Sequence, residues 1–422
     1  MMTVAKSCST RIVGSRVILP TGVEQTDVQI AQGRIVAIGG QYSPSQQGAF
    51  RDGVSEQIQW VEIDGRGKVL APAMIDIHGD AFERQLMPRP GVMFPMDAAM
   101  LETDRQLACN GIATAYHAVT ISWEPGLRSL AMAREFFKTL ESLRSRLNVD
   151  NRVQIRWETF ALEAVDFIFE RLQQQPVPSL AFNDHTSMIM LHPDVPLQKR
   201  PFEQDDDFPT MDIRSGSFRK KMTVRAERSQ LPEDEYTDLL LSAWDKRPSV
   251  PEAIDIVARA ARAVSAPMLS HDDSQVKTRD YYRQLGARVA EFPMQERIAQ
   301  TAVEQGDWIV FGAPNAVRGG SHIGSPSSEA MIASEQCHIL ASDYYYPSLL
   351  LAVSRLHREC VKPLHELWKL VSTHPAKAMH MTDRGSIETG KRADLVLLDW
   401  PDTGEPSPVL TLSAGEVAYS SV

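Results

Sequence analysis

The chain has 422 residues, 43% hydrophobic and 23% charged, enough to bury a large core and more than a single small unit needs. A formal net charge of -10 disfavours nucleic acid or an anionic membrane as partner, but not an anionic small molecule held by a local basic cluster. No stretch approaches the roughly 18 apolar residues of a membrane span, so a cytoplasmic protein is expected. Cys8, Cys109, Cys337 and Cys360 form no Cys-x-x-Cys pair and are expected to be reduced bystanders.

Residues 11–70 read as short strands, Ile12–Leu19, Val28–Ala31, Ile35–Ile38 and Trp60–Ile63, with turn signals at Pro20-Thr21-Gly22 and Gln32-Gly33 and a polar connection over Tyr42–Gln57. After Gly65 apolar runs alternate with amphipathic patterns, the rhythm of βα repeats. The runs predict strands at Ala73–His78, Ile112–His117, Val153–Glu158, Leu180–His185, Met268–His271, Ala287–Glu291, Trp308–Phe311 and Ile339–Asp343. Helices are predicted at Leu127–Leu147, Ala161–Gln174, Pro251–Ala263, Gln295–Gln305 and Leu364–Val371, and Ser249-Val250-Pro251-Glu252 reads as a capping box. The long stretch from His185 to Pro251, with Asp205-Asp206-Asp207 and Arg219-Lys220-Lys221, reads as a charged lid or surface excursion. After Asp383 strand texture returns in Gly390–Leu398 and Val409–Tyr419, and these strands are expected to pair with the N-terminal ones. The expected architecture is α/β: a (β/α)8 TIM-type barrel over residues 71–384, with a small β domain composed of 1–70 and 385–422.

Met74–Asp80 ends in His78 and Asp80, two residues apart and therefore on one face of a strand, where both can reach one divalent ion. A lone His-x-Asp is weak evidence. Four other apolar segments, however, also end in a ligand type: at Glu158, His185, His271 and Asp343. A parallel barrel gathers all strand ends at one mouth, so the pattern predicts fold and site together.

With these strand-end residues stand Met87-Pro88-Arg89-Pro90, Ser270-His271-Asp272-Asp273, Glu291-Phe292-Pro293, the long run Gly312–His322, Ser342-Asp343-Tyr344-Tyr345 and the tail Gly390–Leu397. Together they resemble the amidohydrolase superfamily, and within it the PhnM-type diphosphatases of the carbon–phosphorus lyase pathway, which release pyrophosphate from a ribose 1-alkylphosphonate 5-triphosphate. The resemblance implies two divalent ions: His78 and Asp80 on one, His185 and His271 on the other, with Glu158 bridging. Asp80, Glu158 and Asp343 with one hydroxide would balance their charge. Mixed imidazole and carboxylate ligands suit zinc first, then manganese or iron. Asp343 is read as the general base, or otherwise as a further ligand or ion-pair partner. The tally puts His185 and His271 on the fourth and fifth strands, whereas the superfamily usually places such histidines on the fifth and sixth.

For an anionic substrate the candidates are Arg89, Arg318, Gly319, Gly320 and His322, with Arg84 behind them. Barrels often hold phosphate after the seventh strand, and an arginine fork beside glycines suits phosphoryl oxygens. Gly319 and Gly320 could equally make only a tight turn, and His322 could be purely structural. The chain departs from PhnM-type enzymes after His185, where Thr186–Pro193 replaces a small-residue, glycine-containing segment. The alternative activity is hydrolysis of an amide, cyclic amide or amino-substituted ring, and a third reading is a non-catalytic scaffold, which the intact ligand set opposes. The expected partner is a small phosphorylated molecule, with a homo-oligomer left open.

Overall fold

The computed structural model describes residues 9–40, 60–320, 324 and 326–421; the Tyr42–Gln57 connection, Cys8 and His322 lie outside them. Two sheets organise the described residues. The chain opens with β1 (Ser9–Leu19), β2 (Gly22–Ala31), β3 (Arg34–Ile38), β4 (Trp60–Asp64) and β5 (Val69–Pro72). It closes with β14 (Leu395–Asp399), β15 (Ser407–Ser413) and β16 (Glu416–Ser420). These form one sheet in the order β16-β15-β14-β5-β1-β2-β3, with β4 paired to β1. The last predicted strand is a hairpin: Ala414 (φ 50°) and Gly415 (φ 79°) make the two-residue turn with positive φ at both positions that such a hairpin favours.

The second sheet holds eight parallel strands: β6 (Met74–Gly79), β7 (Ile112–Ile121), β8 (Asp150–Glu158), β9 (Ser179–Asn183), β10 (Met268–His271), β11 (Val289–Glu291), β12 (Trp308–Gly312) and β13 (Ile339–Ala341). They run in sequence order. The ring closes where Gly79 bridges Asp343, with Asp343 N donating to His78 O at 3.0 Å and Asp80 N to Asp343 O at 2.9 Å. No strand was missing from the sequence tally: His271 does end the fifth strand, and the sixth ends in Glu291. β5 and β6 are consecutive, so the apolar run Val69–Ile77 changes sheets at Ala73.

Three local expectations are corrected. Ser249 makes no capping hydrogen bond, because the 3₁₀ turn Arg247–Ser249 runs straight into the helix Val250–Ala263. The stretch after His185 is not a charged loop but carries the helices His185–Met190, Gly216–Ser229 and Glu233–Trp244. Ile189, Met190, Met211, Phe218, Met222, Tyr236 and Leu240 give it an apolar cluster of its own. Spread through polar sequence, these residues meet only once the helices fold against each other. The segment Asn315–His322, read as the loop after the seventh strand, begins inside a short helix, Ala313–Arg318, ended by Gly319 at φ 79°.

Candidate metal centre

Strand β8 shows how the site is built. Side chains alternate faces along a strand, so Gln154, Arg156 and Glu158 enter the barrel at three successive heights, while Val153, Ile155 and Trp157 join the apolar layer under the helices. At the lowest height Gln154 Nε2 donates to Glu291 Oε1 at 2.9 Å. Glu291, fully buried, lies between two imidazoles: His78 Nδ1 is 3.0 Å from Oε1 and His271 Nδ1 is 2.8 Å from Oε2. The two rings stack with centroids 5.5 Å apart, and the Phe292 ring meets both edge-on at 5.1 and 5.3 Å.

At the middle height Arg156 Nη2 lies 2.9 Å from His271 Nε2, its Nε donates to Asn183 Oδ1 at 3.0 Å, and Nη1 stands 3.7 Å from Asp80 Oδ2. At the top, Glu158 accepts from His185 N at 2.9 Å, Thr186 N at 3.1 Å and Thr186 Oγ1 at 2.8 Å, with His185 Nδ1 at 3.3 Å. Glu158 thus ties the end of β8 to the start of the helix that follows β9.

Three groups of ligand atoms lie within 4.8 Å of one another: His78 with Asp80 and Asp343, His185 with His271 and Asp272, and His78 with His271 and Glu291. His78 and His271 are shared between groups, so the ligands form one connected centre. The backbone is bent sharply around it. Asp272 (φ 57°), Phe292 (φ 55°) and Asp343 (φ 56°) all adopt left-handed conformations at strand ends. Aspartate tolerates this; for Phe292 it costs on the order of 1–3 kcal/mol, which the surrounding contacts must offset.

Electrostatics fit a cation. Burial and the neighbouring Asp80 charge push the Asp343 carboxyl up to about 6, the signature of two carboxylates facing each other without enough positive charge. Burial likewise raises Glu158, to about 7, against the hydrogen bonds from His185 and Thr186. His185 is lowered by burial and by the Arg156 charge, so its ring is held neutral, as a metal ligand must be. Burial opposes charge on His78, yet the Glu291 carboxylate outweighs it and raises that group, while Glu291, which burial alone would raise, is pulled low by the two rings. Imidazoles and carboxylates in these groupings fit a borderline divalent ion such as zinc, manganese or iron.

Of the residues singled out in the sequence, His78, Asp80, His185, His271 and Asp343 come together in these groups; Glu158 adjoins them through His185 but belongs to none. Arg89 and Arg318 are exposed, Arg89 in the turn closed by its bridge to Val92, Arg318 at the end of its short helix. Gly319 is the left-handed residue ending that helix, and Gly320 N donates to Asn315 O at 3.0 Å. Three site residues went unassigned in the sequence: Glu291, Asp272 and Arg156. The first two were within reach of the strand-end rule, Glu291 ending β11 and Asp272 directly following His271. Arg156 shares the Glu158 face of β8, but a positive side chain among ligands is not a pattern the rule seeks.

Residues 348–419 match the amidohydrolase family. Over 358 residues, 83% of this chain and 89% of the relative, the sequence is 30% identical to the alpha-D-ribose 1-methylphosphonate 5-triphosphate diphosphatase of Escherichia coli (strain K12). In fold it is similar to the D-hydantoinase of Bacillus sp. AR9 (TM-score 0.60, 14% identity, 97% of this chain and 94% of that one). It is also similar to phenylurea hydrolase B (TM-score 0.60, 14% identity, 97% and 96%). Among the described residues no helix is long and apolar enough to cross a membrane. With its barrel, its composite sheet and its clustered ligands, the chain belongs to the amidohydrolase family and is a metal-dependent hydrolase.

Proposed function

We propose that the chain releases pyrophosphate from a ribose 1-alkylphosphonate 5-triphosphate in phosphonate catabolism, with two divalent ions, zinc first. The reading is carried by the gathering of His78, Asp80, His185, His271 and Asp343 at one barrel mouth, in a chain 30% identical to a diphosphatase of that substrate class. The alternative amide chemistry has no support of this kind, since the solved hydantoinase and phenylurea hydrolase share the fold at 14% identity.

His78 and Asp80 would hold one ion, His185 and His271 the other, with Glu158 between them and Asp343 beside the first. Bound there, the ions would polarise phosphoryl oxygens and make water acidic enough to attack. Hydrolysis joins the water oxygen to phosphorus, breaks the P–O bond between the α- and β-phosphates, and yields pyrophosphate, a 5-phosphate and a proton. Asp343, grouped with His78 and Asp80 just past the end of β13, takes that proton. Arg156, whose guanidinium already reaches Asp80 and His271, supplies positive charge beside the reacting phosphates. Arg89 and Arg318, on segments that follow β6 and β12 at the mouth, are the outer contacts, with the Gly319-Gly320 backbone next to Arg318.

The test is steady-state kinetics on nucleoside and sugar triphosphates with pyrophosphate quantified. Arg318→Met keeps bulk and removes charge-assisted hydrogen bonds worth about 1.5–3 kcal/mol each, so kcat/KM should fall roughly tenfold to a hundredfold with metal content unchanged. Wild type that releases no pyrophosphate but hydrolyses neutral amides, equally well in the variant, would end this reading.

A further inference from the structure

His271 is held on both edges of its ring. Arginine has donors only, so across the 2.9 Å from Arg156 Nη2 the guanidinium donates and His271 Nε2 accepts. The ring proton therefore sits on Nδ1, and at 2.8 Å it is donated to Glu291 Oε2. The other oxygen of the same carboxylate stands 3.0 Å from His78 Nδ1, at ion-pair distance but outside hydrogen-bond geometry.

The carboxylate is fixed from several sides. Gln154 Nε2 donates to Oε1 at 2.9 Å from across the barrel, Asp272 N donates to the Glu291 carbonyl at 2.9 Å, and the Phe292 ring closes against both imidazoles. Asp272, of the His271 grouping, lies at the opposite ring edge, its Oδ2 3.6 Å from Nε2.

We propose that Glu291 is the positioning residue of the centre: one carboxylate keeps the protons of His78 and His271 on Nδ1 and leaves both Nε2 lone pairs to metal, which on His271 takes the place of the Arg156 hydrogen bond. This rests on the metal-centre reading above. Because His78 and His271 belong to different ion positions, the single carboxylate serves both at once. A histidine ligand commonly donates its free N–H to a carboxylate, and losing such a partner lowers metal affinity about tenfold to a hundredfold. Glutamine offers one acceptor and one donor in the same shape. In Glu291→Gln, therefore, one ring keeps its acceptor, and the other, faced by N–H, must carry its proton on Nε2, the ligand atom.

Two measurements on the full chain test this. Long-range ¹H–¹⁵N spectra of histidine-labelled wild type should show His271 protonated on Nδ1 without metal, and both rings protonated there once zinc is added. Competition against a chromophoric zinc chelator should show one ion weakened about tenfold to a hundredfold in Glu291→Gln and both in Glu291→Ala. Protonation of His271 on Nε2, loss of the Nδ1 protons on zinc binding, or wild-type affinities in Glu291→Gln would each overturn the proposal; the last would leave Glu291 a packing residue, the second would put an ion between the rings and Glu291. The tautomer is read on wild type, so it does not depend on a variant folding. Neither readout involves turnover, so absence of pyrophosphate release would count against the diphosphatase reading alone.

Discussion

Asp343 lies half-buried just past the end of β13 and His117 is buried in the middle of β7, and burial acts on the two in opposite directions. Burial and Asp80 raise the Asp343 carboxyl to about 6. If proton transfer is its main task, Asp343→Asn should keep most of its metal through His78 and Asp80 but lose about a hundredfold or more in turnover. Elemental analysis beside kinetics decides; if metal and activity disappear together, Asp343 is chiefly a ligand. At His117, Asn151 Nδ2 donates to Asp104 Oδ1 at 2.8 Å, so Asn151 turns its oxygen to His117 Nε2, 2.7 Å away. That nitrogen must donate, which leaves Nδ1 buried without a partner. Burial lowers the group to about 4. Between about 6.5 and 4 the unfolded chain binds a proton that the native state does not, so this stabilisation is complete above 6.5 and is lost as pH falls toward 4. The urea midpoint of wild type should therefore drop more steeply over that window than that of His117→Gln. Parallel profiles would mean that His117 titrates normally in the fold.

At the scale of elements, β8 sets the site by its period of two. Its inward residues meet a different partner at each height: Gln154 with Glu291, Arg156 with His271 and Asn183, Glu158 with His185 and Thr186. A one-residue slip would exchange all of them for Val153, Ile155 and Trp157, so the packing of that apolar face fixes the site. If Glu158 bridges two ions, Glu158→Ala should bind fewer than two per chain by elemental analysis. Two retained ions would reduce Glu158 to the role its hydrogen bonds already define, anchoring the segment that carries His185.

At the scale of the molecule, the two sheets are joined by buried polar contacts at the barrel end away from the mouth. Arg384 Nη1 donates to Asp150 Oδ2 at 2.7 Å and Thr114 Oγ1 at 2.9 Å, while Arg392 Nη1 lies 3.5 Å from Asp150 Oδ2. Thr411 Oγ1 donates to Ala108 O at 2.8 Å, and Trp368 Nε1 to Pro72 O at 2.9 Å. Burial would raise Asp150, but Arg152, Arg384 and Arg392 together hold it below its ordinary range. Removing one member of such a set strands buried charge, so Arg384→Met should destabilise by about 3 kcal/mol in urea unfolding, at the low end of the expected range because Arg152 and Arg392 remain. A loss below about 1 kcal/mol would show that those two suffice.

The sequence by itself determined the barrel and most of the candidate ligands gathered at its mouth, because both follow from local rules. Apolar runs of strand length recur between amphipathic segments, and a side chain at the end of each run must lie at the mouth whatever the loops do. His78, Asp80, His185, His271 and Asp343 were legible for that reason. What the tertiary structure decided was which side chains face one another across the barrel. That Glu291 stands between His78 and His271, and that Arg156 reaches into the ligands, depends on the register of β6, β8, β10 and β11 around a closed ring, which no single segment encodes. The helices after His185 were hidden for the same reason: Met222, Tyr236 and Leu240 bury themselves against Ile189 and Met211, contacts that exist only after the chain has folded back on itself.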